Sequence, residues 1–108
     1  MLHTSMGDFT LKYTYNAMVE HEERFKIPLL ADAKRTNLVA ARRLIWSGLI
    51  HLKKNFSLDQ VGNLIEDAIM QGADLLDLQA EIEKAIDDAV FLQRLAEKSM
   101  RRLAEEKR

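Results

Sequence analysis

Residues 55 to 72, NFSLDQVGNLIEDAIMQG, constrain the fold more tightly than any other stretch, because they spell out a helix with its start, its buried face and its end. Ser57 and Gln60 fit an S-x-x-Q capping box: the serine oxygen accepts from the third helical amide, and the glutamine side chain returns to the cap's own N–H. Phe56 stands where a hydrophobic staple against Val61 is expected. Val61, Leu64, Ile65, Ala68 and Ile69 recur at steps of three and four, the spacing of one buried face. Gly72 falls just past the end, where a positive φ is needed. Gly62 sits inside this helix, where a glycine is unfavourable and close packing against another helix would justify it. A chain with such a helix must supply other elements to cover its stripe.

The rest of the chain supplies mostly helices. One Pro and four Gly in 108 residues, with abundant Ala, Leu, Glu, Lys and Arg, favour helix over strand. The expected class is all-α: one helical domain over residues 1–108, of three to four main helices, with an extended N-terminal segment (1–15) and a long C-terminal helix. The length and a hydrophobic content of 47% suit a single modest core.

Asp8 to Tyr15, DFTLKYTY, alternates apolar and polar residues and is the one candidate strand. It has no clear partner strand, so it pairs with another molecule, lies extended against the helices, or is a strand in name only. Asn16 is the expected N-cap of a helix over AMVEHEERFK, which Ile27-Pro28 should interrupt. LLADAKRTN forms a short turn of helix or a loop. From Asn37 to about Lys54 the spacing of Leu38, Ala41, Leu44, Ile45, Gly48, Leu49 and Leu52 predicts a second helix, with Gly48 marking close approach of another helix. Asp74 should cap a last helix reaching toward Ala104, with a heptad-like seam from Leu75 to Leu103. Its end, residues 93–108, is charged and either projects or waits for a partner.

Little chemistry is legible. Without cysteine there are no disulfides, thiol nucleophiles or thiolate metal sites. His21 and Glu22 begin an H-E-x-x-H pattern, but Phe25 occupies the second histidine's place. His21 is read as a surface histidine and His51 as a helix-end one. Glu83 and Asp87 share a helix face that reads as solvated, no serine has a G-x-S-x-G context, and no glycine loop cradles phosphate. No catalytic residue, metal site or cofactor is expected. Trp46, Phe56 and Phe91 read as core. The N-terminus lacks a signal pattern and no long apolar run spans a membrane, so a cytoplasmic, soluble protein is expected.

Residues 1–54 carry a charge of +4 and residues 55–108 a charge of −5. The halves complement each other within one molecule or draw molecules together head to tail. A small helical DNA-binding or regulatory module remains an alternative, but a recognition helix opening ADLLDLQAEIEK would turn Asp74, Asp77 and Glu81 toward phosphates. For partner contact the sequence offers Tyr13 and Tyr15, Arg42 and Arg43, and the acidic pair Asp87 and Asp88.

The order of three segments resembles a known family. FTLKYTYNAMVEHEERFKIPL is similar to the start of tail assembly chaperones of long-tailed phages and prophages. ARRLIWSGLIH resembles their helix with W-x-G-L-x-H, and FSLDQVGNLIEDA their s-L-e-e-v-G-d-L-I-e helix. The likeness covers roughly residues 9 to 70; IPLLADAKRTN is shorter and less apolar than the usual pattern, and gene transfer agents carry similar proteins. The resemblance implies a non-enzymatic virion assembly factor of the bacterial cytoplasm that self-associates, binds the tape-measure protein, recruits tail-tube protein and is absent from the finished particle. It also implies a longer product of the same gene made by translational frameshift in many cases.

Overall fold

The structure, a computed structural model, describes residues 1–89 together with 91, 92, 94, 95, 98, 101 and 102. It is mostly helical, with one small antiparallel sheet in addition to the expected helices. The sheet is a hairpin of β1 (Leu2–Thr4) and β2 (Gly7–Phe9), registered Leu2 to Phe9, His3 to Asp8 and Thr4 to Gly7. Gly7 has φ +121°, a value that L side chains rarely adopt. Strand pairing is therefore present: Asp8 and Phe9 of the candidate strand take part, and the partner strand lies upstream at Leu2–Thr4. Residues 10–14 leave the sheet and lie extended against a helix, with Leu11 and Tyr13 buried and Lys12 in solvent.

Helix α1 runs Tyr15–Phe25, α2 Leu29–Asp32, α3 Leu38–Gly48, α4 Leu58–Met70 and α5 Leu75–Asp87. Thr14, rather than Asn16, caps α1, accepting from Ala17 N at 3.1 Å. Lys26 turns the chain left-handed at φ 58°, and Pro28 then holds an extended backbone that ends the first helix before the single turn of α2. Asn37 caps α3 through Ala40 N at 2.8 Å.

α3 stops at Gly48, short of the expected Lys54. The Gly48 carbonyl accepts the amide of Lys12 at 2.9 Å and the His51 Nδ1–H at 2.9 Å. The Leu52 amide turns instead to the Leu49 carbonyl, and a 3-10 turn follows over Ile50–Leu52. Gly48 does mark a close approach, but by the N-terminal segment rather than a helix. A methyl built there would stand 3.0 Å from Leu11 Cδ2 and 3.1 Å from its Cβ.

α4 follows its sequence closely. Ser57 and Gln60 form the capping box at 3.1 and 2.8 Å, and Gly72 takes φ +111°. Such a cap stabilises by about 1 kcal/mol. Val61, Leu64, Ile65 and Ala68 are buried, while Ile69 stays exposed. Asp74 and Asp77 build a reciprocal box on α5, which buries Leu78, Ile82 and Ala85. The predicted unbroken helix to Ala104 is interrupted at Asp88 and Ala89; Phe91, Leu92, Arg94, Leu95, Lys98, Arg101 and Arg102 are again helical. The outer seam positions Ala96, Ser99 and Leu103 lie outside the described residues.

α3 is the hub, packed against α1, α4 and α5. From Leu44 to Leu49 every residue is buried, as expected of a helix covered on all sides. The hairpin is fastened to this core by the Phe9 ring against Phe56, at a centroid distance of 6.1 Å, and by Ser5, which donates from its amide (2.7 Å) and its hydroxyl to Asp67.

The two helix-interior glycines should respond oppositely to alanine. Gly48→Ala gains helix propensity but drives a methyl into Leu11, and should lose about 1–2 kcal/mol. Gly62→Ala meets only Arg42 Cδ at 3.7 Å and should gain about 0.5–1 kcal/mol. Urea unfolding in dilute solution reads both; a stabilised Gly48→Ala would contradict the packing described.

Candidate functional site

The most concentrated chemistry is a buried polar joint among α1, α2 and α3. His21, Asp32 and Ser47 are each fully inaccessible to solvent, and the Arg43 side chain is 18% exposed. Arg43 grips Asp32 with both arms, Nε to Oδ2 at 2.8 Å and the terminal nitrogen to Oδ1 at 2.7 Å. His21 Nε2 lies 2.9 Å from Asp32 Oδ2, and His21 Nδ1 lies 2.6 Å from Ser47 Oγ.

Hydrogen-bond logic assigns the protons. An ionised carboxylate only accepts, so His21 Nε2 carries a hydrogen and donates to Asp32. In the neutral ring Nδ1 is then an acceptor, and Ser47 Oγ–H donates to it. The Arg43 carbonyl, 3.1 Å from Ser47 Oγ, offers that hydroxyl a second acceptor should Nδ1 become protonated. Every buried side-chain nitrogen and oxygen among the described residues has a partner.

Burial pushes His21 below the ordinary histidine value and outweighs the hydrogen bond and charge of Asp32, which act the other way. Burial alone would raise the Asp32 carboxyl. The hydrogen bond and charge of Arg43, then those of His21, outweigh it and leave Asp32 below the usual carboxylate range. Asp32 in turn holds Arg43 above its usual value. The joint is thus an Asp32–Arg43 ion pair extended by a neutral histidine and a serine. Aromatic rings wall it: Phe25 stands edge-on to His21 at 4.9 Å and to Trp46 at 5.5 Å, and Arg24 covers Trp46 at 4.6 Å.

Serine, histidine and aspartate in line invite comparison with an acyl-transfer triad, where the serine must meet a substrate. Here Ser47 lies within a covered helix, and Ser47, His21 and Asp32 are all inaccessible to solvent. The arrangement joins helices and presents no nucleophile to solvent. Among the described residues no three His, Asp or Glu groups converge to hold a metal.

His21, expected on the surface, is instead fully buried. The usable signal was the i, i+4, i+8 row Ala17, His21, Phe25, which is the buried face of α1. Nothing local marks Asp32 or Ser47 as its partners.

The residues proposed for partner contact separate into two kinds. Tyr13 is a core residue, 2% exposed, whose hydroxyl donates to the Leu44 carbonyl at 2.8 Å; burial pushes that hydroxyl far above its ordinary range. Arg43 is the buried pair's cation. Tyr13 and Arg43, expected at a partner contact, are turned inward: the segment carrying Tyr13 is packed along α3, and Arg43 neutralises an inaccessible carboxylate. Tyr15 is 64% exposed, with its ring 6.5 Å from that of Phe91. It lies on the rim of an apolar cleft of about 230 Å3 bounded by Met18, Pro28, Leu30, Phe91 and Leu95. Asp87 and Asp88 are exposed where α5 ends, and Arg42 is half-buried beside α4.

No helix among the described residues is long and apolar enough to cross a membrane. Comparison with protein-family models, curated proteins and solved structures finds no match for this chain.

The joint sets an expected pH response. The unfolded chain binds a proton at His21 near the ordinary value of about 6.5, which the folded chain resists. Stability should therefore fall as pH drops below about 6.5, through the lower folded value. His21→Gln should flatten this slope in urea unfolding measured between neutral and mildly acid pH. Asp32→Ala, which strands Arg43 and His21, should cost about 3–5 kcal/mol in the same assay.

Proposed function

We propose that this chain is a non-enzymatic assembly factor of the phage tail assembly chaperone kind, which binds the tape-measure protein and recruits tail-tube subunits in a bacterial host. The observation that carries the reading is the place of the W-x-G-L-x-H residues. Trp46 Nε1–H donates to the Phe56 carbonyl at 2.8 Å, Gly48 receives Leu11, Leu49 is 1% exposed, and His51 closes on the Gly48 carbonyl. Each residue of that spacing has a separate structural task, and together they bind the N-terminal segment, α3 and the start of α4. The residues that carry the resemblance are thus also residues on which this fold depends.

Partner contact is assigned to the apolar cleft at Tyr15, Leu30, Phe91 and Leu95, beside Asp87 and Asp88. An apolar cleft suits a helix laid along it. The DNA-binding alternative is opposed by the exposed acids Asp74, Asp77 and Glu83 on the helix that would have to read a groove.

Pull-down of the purified chain against the tape-measure and tail-tube proteins of a long-tailed phage or prophage from the same genome should retain at least one of them, and Tyr15→Glu should weaken that retention. Retention of neither, or binding to duplex DNA with steep salt dependence, would count against the proposal.

A further inference from the structure

We infer that residues 27–36, the link between α1 and α3 that carries α2, form a strap that opens as a unit from an otherwise intact fold, with His21 as its acid-sensitive latch. The strap's turn is closed by its own backbone: Asp32 N to Pro28 O at 3.0 Å, Ala33 N to Leu29 O at 2.9 Å, Lys34 N to Ala31 O at 3.3 Å and Arg35 N to Asp32 O at 3.0 Å. No backbone hydrogen bond joins it to another element among the described residues. Attachment falls to side chains. Only Leu29 and Asp32 are buried; Ile27 and Ala33 are half-buried and the rest are exposed.

One apolar peg and one ionic peg therefore hold the strap to the body. Its two ends lie outside any helix, at Lys26 with φ 58° and at the exposed run Lys34 to Thr36. A segment with few buried groups and self-contained hydrogen bonds opens at lower free energy than the whole domain. The remaining helices keep their own contacts when it does. α1 stays on α3 through Phe25 edge-on to Trp46, with Arg24 over the same ring.

The groups facing His21 make the latch sensitive to acid. From α2, Asp32 meets Nε2; from α3, Ser47 meets Nδ1 and Arg43 stands across the shared carboxylate. From α1 itself Phe25 is edge-on, while Glu20, Glu22 and Glu23 are exposed. With the strap closed, a proton on His21 places a second cation beside Arg43, out of water and against one carboxylate. With the strap open, water reaches the ring. Closure thus holds His21 below its ordinary value, opening returns it toward about 6.5, and a fall in pH through that value favours the open strap. Arg43 keeps Asp32 below the usual carboxylate range, so above about pH 5 Asp32 is ionised open or closed and His21 is the member of the joint that titrates.

Pro28, Leu29 and Leu30 form one wall of the cleft at Tyr15, so that cleft exists only while the strap is closed. Occupancy of the cleft and acid therefore act on the strap in opposite directions. The opening itself does not rest on the assembly-factor reading: it is measured on the chain alone, and failure to retain tail proteins leaves it standing.

Amide hydrogen exchange of the full chain, followed by NMR at about pH 7.5 and about pH 5 and corrected for the rate of an unstructured amide, tests it. The amides of Asp32, Ala33, Lys34 and Arg35 should share one protection factor, at least about tenfold below that of Leu64 and Ile65 in α4 at both pH values. That shared factor should drop by about tenfold at the lower pH. His21→Gln should keep the opening and lose its pH dependence. Strap protection equal to that of α4 would overturn the proposal, as would a strap factor unchanged between the two pH values; the parent chain alone decides both. A pH step that survives His21→Gln would overturn the assignment of the latch.

Discussion

A single buried carboxylate organises one side of this molecule. Asp32 is fully enclosed, and an ionised carboxylate there is tolerable only with donors on both oxygens. Arg43 supplies two and His21 a third, and Ser47 then satisfies the far side of the imidazole. These four residues come from α1, α2 and α3, so one electrostatic requirement sets three helices at once. α2 depends on it most. A helix of one turn has almost no intrinsic stability, and this one buries only Leu29 and Asp32. Where Asp32 is held, Pro28 and Leu30 follow, and with them the wall of the cleft beside Tyr15.

The second organising contact is the N-terminal segment laid on α3. Its effect is topological: the Lys12 amide takes the Gly48 carbonyl, and α3 ends there although its apolar spacing continues to Leu52. Helix length in this chain is thus decided by a competitor for one carbonyl rather than by propensity. The same contact explains why glycine belongs at position 48, where the segment's Leu11 leaves no space for a methyl. The residues Trp46, Gly48 and His51, which carry the family resemblance, each have a task in the fold. The fold leaves large apolar side chains exposed elsewhere: Tyr15 and Leu30 beside the cleft, and Leu38, Val39, Ile69 and Met70 on α3 and α4.

What was legible in the sequence was local. The capping box of α4, the Asp74 cap of α5, the glycine stop at Gly72 and, but for the exposed Ile69, the stripes through Leu64 and Leu78 depend on residues within about two turns of one another, and they are present. The hairpin was missed because strands of three residues are too short to show a period, and its first strand precedes the alternating segment. The polar joint was missed for a different reason. It unites residues 21, 32, 43 and 47, and its two spacings of eleven correspond to no regular helix or strand contact. The sequence offers Tyr13 for contact because its segment has no visible partner strand, and Arg43 because helical spacing puts it on or near the wet side of α3. Only the tertiary structure shows that each has an internal acceptor, Leu44 O for one and Asp32 for the other.

The central claim is that His21 is a neutral, inaccessible bridge between Asp32 and Ser47. Long-range nitrogen–proton correlation NMR of the histidine rings at neutral pH tests it most directly, since it reports which ring nitrogen carries the proton. The account predicts one neutral ring locked with its hydrogen on Nε2 and a bare, hydrogen-bonded Nδ1. A His21 that is cationic at neutral pH, or that exchanges freely between tautomers as a solvated imidazole does, would contradict it.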